Sequence, residues 1–96
     1  MLKHIVMFKL RNKTNENMEE AITALKGMEG KIEPLNSIEV GTDITHSERS
    51  YDIVLTTHFD SQEDLKLYAD HPHHQPVLKT MRALCSKMAV VDYEMA

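Results

Sequence analysis

The stretch Tyr68-Ala69-Asp70-His71-Pro72-His73-His74-Gln75-Pro76 decides how the second half of the chain folds. A proline removes an amide donor and clashes with the preceding turn, and it pushes the residue before it into extended geometry. Helical sequence on either side of this stretch must therefore belong to two helices. Three of the chain's six histidines, His71, His73 and His74, sit at that break. A bare helix-to-helix turn needs no imidazole, so the break is also the first candidate for a functional site.

Upstream, Ser61 and Asp64 resemble a capping box that opens a helix with Leu65, Tyr68 and Ala69 on its inward side. Downstream, Pro76 suits a first helical turn, and the next helix carries Val77, Met81, Leu84 and Cys85. A last strand over 87–94 alternates Ala89, Val91 and Tyr93 against Met88, Val90, Asp92 and Glu94. Strand three, 51–59, alternates Tyr51, Ile53, Leu55, Thr57 and Phe59 against Asp52, Val54, Thr56 and His58. A strand over 37–44 precedes it, with Ile38 and Val40 on one face. Gly41 there suggests a bulge or a close backbone approach, and the polar 46–50 segment, His46 included, reads as an exposed connection. Residues 2–10 form the opening strand, with Leu2, His4, Val6, Phe8 and Leu10 on one face and Lys3, Ile5, Met7 and Lys9 on the other. Between the first two strands, Thr14 or Asn15 caps a helix whose stripe is Met18, Ala21, Ile22, Leu25 and Met28, with Gly30 as its stop.

The order strand-helix-strand-strand-helix-strand, with the second helix broken in two, predicts an α+β ferredoxin-like fold: a four-stranded antiparallel sheet with helices on one face. The other face would carry Ile5, Met7, Val54, Met88 and Val90, apolar surface that a monomer leaves in water. Burying it gains up to ~25 cal/mol per Å², so a homodimer through the sheet faces is expected. His58, on that face beside Asp52, reads as structural.

Composition narrows the class. The chain has 96 residues, a formal net charge of −4 and one cysteine. Residues 1–96 read as one domain, and a chain this short buries a little over ~60% of its unfolded surface. An acidic balance argues against nucleic acid as the main partner. No apolar run approaches the roughly 20 residues of a membrane span, and Lys3 interrupts the only candidate for a leader peptide. One cysteine allows no intrachain disulfide and fits a reducing, cytoplasmic setting.

Several residues could carry chemistry. Near a helix start an imidazolium is disfavoured, so His74 would stay neutral and accept a proton. Tyr68 would donate a hydrogen bond to a substrate oxygen as negative charge develops there. His4 lies on the helix-facing side of the first strand. Each has a plainer reading: His4 as a core-edge histidine, Tyr68 as an aromatic core residue with its hydroxyl at the rim, and the cluster as a solvated loop. His71, His74 and His4 could also gather round zinc, but without a pair at i,i+4 or a cysteine ligand the signal is weak, and no metal or cofactor is expected. Cys85 reads as a buried structural thiol.

The opening Lys3-His4-Ile5-Val6-Met7-Phe8-Lys9, Tyr68 leading into His71-Pro72-His73-His74 after Thr57-His58-Phe59, and the closing Val91-Asp92-Tyr93-Glu94 together resemble the stress-responsive dimeric α/β-barrel (Dabb) family. The resemblance covers nearly the whole chain, and the His-Pro-x-His element is its most specific part. It implies a ferredoxin-like fold that pairs with a second subunit to form a dimeric barrel. The site resembles that of the family's plant polyketide cyclases, which close a linear poly-β-keto thioester by aldol condensation without a cofactor. That likeness implies Tyr68 and His74 as the acid/base pair, His4 as the first-strand histidine and His71 as the histidine of His-Pro. Ile53 stands where those cyclases have a further pocket histidine, which makes the pocket more apolar. The expectation is a pocket per subunit, lined by His4, Ile53, Tyr68, His71 and His74, for a small, partly apolar carbonyl compound. The alternative is a non-catalytic stress-response or assembly protein whose histidines are structural.

Overall fold

The computed structural model describes residues 1–95. The elements run β1 (Leu2–Leu10), α1 (Asn15–Lys26), β2 (Ser37–Thr42), β3 (Ile53–Phe59), α2 (Gln62–Ala69), α3 (Gln75–Leu84) and β4 (Cys85–Glu94). The four strands form one antiparallel sheet in the order β2-β3-β1-β4. This is the expected ferredoxin-like arrangement. It follows from period-2 segments flanking period-3.6 segments, since each kind of element has one apolar side to bury.

Local signals place the ends. Thr14 accepts from the Asn17 amide to start α1, and Ser61 accepts from the Asp64 amide to start α2. Both satisfy helix amides that would otherwise lack partners. Helix α1 ends at Lys26 with Gly27 as its cap, short of the expected stop at Gly30. Turns continue the chain, and Gly30 takes a φ of 75° within them. Those turns keep Met28 and Ile32 buried, so the apolar stripe outlasts the helix. Strand β2 stops at Thr42, and Ile44 is 89% exposed. Gly41 marks a close approach: a Cβ there would meet Val54 Cγ1 at 3.1 Å.

The core lies between the sheet and the helices. Val6, Phe8, Leu55 and Phe59 from the sheet meet Ala21, Leu25, Tyr68 and Met81 from the helices, all buried. Asp52 is also buried; its Oδ2 accepts the Leu10 amide at 2.8 Å and its Oδ1 lies 3.4 Å from Lys13 Nζ. It thus closes the end of β1 rather than accompanying His58. His58 sits opposite Lys3, and its Nδ1 is 2.6 Å from Ser37 Oγ.

Two expectations about β4 are corrected. Cys85 is not on α3 but opens the strand in extended geometry, because the Leu84 carbonyl is already held by the Arg11 amide at 2.9 Å. Met88 and Val90 face the helices, since they pair with Phe8 and Val6; directly opposed residues share a side of the sheet. The open face instead carries Val91 and Tyr93 beside Ile5, Met7 and Val54. Cys85 is 4% exposed, and burial followed by the Asp52 charge pushes its thiol pKa up, which suits an inert packing role.

Candidate active site

Helix α2 stops at Ala69, with Asp70 as its cap, and α3 starts at Gln75. The turn between them is held by the His71 carbonyl, which accepts from the His74 amide at 2.9 Å and the Gln75 amide at 3.3 Å. Proline at position 76 fits the first turn of α3, where no amide partner is needed. His74 is the residue before that helix, and its side chain makes no capping bond. The imidazole turns inward instead and lies against the Tyr68 ring, with centroids 4.6 Å apart.

Tyr68 joins three aromatic neighbours. Its ring is 5.0 Å from Phe59 and 6.0 Å from His4, the latter edge-on, besides the contact with His74. It is 1% exposed, so its hydroxyl lies within the core and not at the rim. That hydroxyl reaches only Met28 Sδ, at 3.7 Å, and a thioether is a weak acceptor. Burial pushes the phenol pKa up to about 12. Tyr68 therefore remains a protonated donor at any physiological pH, with no strong acceptor holding it.

His74 shows the opposite response. Its pKa is lowered, first by burial and then, against a raising contribution from the Ala69 carbonyl, by the electrostatic influence of the neighbouring His4. Its Nδ1 is shielded from solvent and has no hydrogen-bond partner among the described residues. An imidazolium there would bury an unsatisfied N–H, which is costly. Burial, more than the helix start, is what keeps this ring neutral.

His4 completes the set. Its Nδ1 donates to Asp92 Oδ1 on the paired strand, where His4 and Asp92 are directly opposed. A carboxylate only accepts, so this contact places a proton on Nδ1 and leaves Nε2 of the neutral ring as an acceptor. Asp92 was not among the residues singled out from sequence. Its signal was its place on the alternating side of β4, and only the strand register reveals the contact.

These rings line a cavity of about 280 Å³ between the sheet and the α2–α3 pair. His4, Tyr68 and His74 supply polar groups to a wall otherwise dominated by residues such as Val6, Leu25, Leu55, Val77 and Met81. Met88 and Val90, 38% and 54% exposed, mark its open side. His4 also borders an open groove beside Asp92 and Glu94.

The remaining expected pocket residues lie elsewhere. The His71 ring stacks on His73 at 5.4 Å and its Nδ1 accepts the His73 amide at 3.1 Å, so local turn geometry holds it off the cavity wall. Ile53 is 2% exposed and packed in the core, also off the wall, because it opens β3 between Thr42 and Phe8. His73 is exposed. Among the described residues, no three His, Cys, Asp or Glu side chains converge as metal ligands, so His4, His71 and His74 do not gather round one point.

Known proteins are similar to this chain in sequence or in fold. An uncharacterized protein of Streptomyces coelicolor is 28% identical over 98% of this chain and 99% of its own length. A dimeric protein of unknown function with a ferredoxin-like fold from Bacteroides fragilis is 35% identical, covering 98% of this chain and 95% of that one, with a TM-score of 0.84. A hydroxynitrile lyase from Passiflora edulis superposes with a TM-score of 0.87 over 99% of this chain and 93% of its own; at 16% identity the likeness is one of fold. With a match over residues 2–95, the chain belongs to the Stress responsive A/B Barrel Domain (Dabb) family.

Proposed function

We propose that the cavity binds a small, partly apolar carbonyl compound and carries out cofactor-free proton transfer next to its carbonyl group. The carrying observation is the contact between Tyr68, a protonated donor with no strong acceptor, and His74, a neutral ring, on an apolar wall. Two titratable groups whose environments push their pKa values apart are the usual mark of assigned acid and base roles. His74 takes the proton from carbon as general base. Tyr68 donates to the carbonyl oxygen as it becomes an enolate, an interaction strengthened by the dry surroundings. His4 positions the oxygen. On this reading Tyr68 and His74 would act as the acid/base pair of olivetolic acid cyclase does.

A second assignment rests on Asp92. With Nδ1–H held by that carboxylate, Nε2 of His4 faces away as a free proton acceptor, and His4 would then be the base while His74 donates. The protein acts as a homodimer joined through the open sheet face. Met7, Val91 and Tyr93 leave 37%, 57% and 41% of their surfaces exposed there, and solved relatives are described as dimeric.

The test is deuterium exchange at the carbon beside the carbonyl of an alkyl methyl ketone, such as 2-nonanone, followed by NMR. The wild-type protein should accelerate exchange above an imidazole control, and His74→Ala should abolish this while leaving the melting temperature nearly unchanged. No acceleration, or a His74→Ala variant that chiefly unfolds, would refute the catalytic reading. Asp92→Asn separates the two assignments: a large loss of exchange makes His4 the base, a small one His74. Sedimentation showing a stable monomer at micromolar concentration would refute the dimer.

A further inference from the structure

The cavity wall has one charged side chain, and nothing in the acid/base reading uses it. His74, just ahead of α3, and Val77, Leu78, Met81 and Arg82 along that helix all line the cavity. These fall at offsets of three, four, seven and eight, a single helical stripe. Eight residues at 1.5 Å each set His74 and Arg82 about 12 Å apart along the axis. The imidazoles and the phenol thus occupy one end of the stripe, and a guanidinium the other. The wall between them is apolar and carries no carboxylate.

Arg82 makes no ion pair among the described residues, where the acids of the ion pairs are engaged by His4, Lys13, His46 and the N-terminal amine. Arg82 is exposed and borders the cavity, and a guanidinium stays charged at any working pH. In the last turn of α3 it also complements the helix dipole. That role alone would not require it to border a cavity, nor would it affect which molecule enters.

We propose that Arg82 holds the anionic head of the cavity's ligand, so that the ligand is an apolar molecule with an oxyanion at one end and its reacting carbonyl near the other. This rests on the cavity being a binding site, and it names the class of compound that site selects. A planar fork of N–H donors matches the paired oxygens of a carboxylate or of a phosphate monoester. The apolar stretch between the two ends sets the length of hydrocarbon between head and carbonyl.

The test uses three probes with one tail: octanoate, octyl phosphate and 1-octanol, titrated into the full chain and followed by amide chemical shifts. Octanoate should bind wild-type protein roughly tenfold tighter than 1-octanol, the scale of one charge-assisted pair. Arg82→Gln should bring octanoate down to the 1-octanol affinity and leave 1-octanol unchanged, while Arg82→Lys keeps part of the preference. Tighter binding of octyl phosphate than octanoate, again lost in Arg82→Gln, would support the same site with a phosphate head. Equal affinity of all three probes for the wild type, or a preference that survives Arg82→Gln, overturns the proposal and leaves the cavity reading standing. Failure of all three to bind overturns both.

Discussion

The space between sheet and helices is built in two ways. On one side it is solid: Ala21 of α1 at 0% and Ile53 of β3 at 2% exposure are buried and lie off the cavity wall. Beneath the α2–α3 break it is hollow, with Tyr68, His74 and His4 around a 280 Å³ cavity. Both halves share one sheet and one alternation of inward residues. The difference lies in the helix layer. Helix α1 runs unbroken for twelve residues, whereas the Pro72–Pro76 region splits its counterpart into helices of eight and ten residues. A close-packed interior resists both removal and addition of volume. A hollow one gives up dispersion contacts but gains a place where polar rings can meet a ligand away from water.

Substitutions should separate the halves. The largest effect is expected for Ile53→Ala, which empties part of the solid half and should destabilise by about 2–5 kcal/mol in chemical denaturation. A loss below about 1 kcal/mol would mean that this half is looser than its burial indicates. Next is the alkaline response of the hollow half. The folded-state pKa of Tyr68 is raised from 10.0 to about 12. Its contribution is therefore complete below pH 10 and lost as pH rises through 12, about 2–3 kcal/mol in all. Tyr68→Phe should flatten the stability profile over that range, and an unchanged profile would show that the phenol titrates normally.

Filling experiments come third. Ala21→Leu overpacks the solid half and should cost about 1–3 kcal/mol. Val77→Leu projects into the cavity and should change stability by less than about 1 kcal/mol while weakening ligand binding. Equal penalties at the two sites would erase the distinction. The smallest effect is acidic. His74 has a folded-state pKa below its unfolded value, so the unfolded chain takes up the proton first. Stability should fall as pH drops through about 6.5 toward the folded pKa, and His74→Gln should reduce that slope. A steeper slope in the variant would reverse the sign assigned to His74.

Local rules made much of this readable in advance. The caps at Thr14 and Ser61, the alternation along β1 and β3 and the prolines around His74 each act over a few residues, so sequence spacing suffices to place them. The same rules failed where two answers were locally equal. In β4 both sides are apolar, and alternation alone cannot say whether Val90 or Val91 points inward; pairing of Val6 with Val90 decides it. Cys85 continued the stripe of α3, yet the hydrogen bond from Arg11 to Leu84 draws the chain into the sheet at that point.

For the site, sequence determined the elements: which residues break the second helix, which histidine precedes α3, and which side of β1 His4 occupies. Tertiary structure decided which of these groups meet. The contact between His4 and Asp92 spans 88 positions and exists only because β1 and β4 pair in one register. The separation of His71 and Ile53 from the cavity, and the burial of the Tyr68 hydroxyl, have the same origin. A cavity is volume left unfilled by side chains from several elements, and no single stretch of chain encodes a volume that its neighbours fail to occupy.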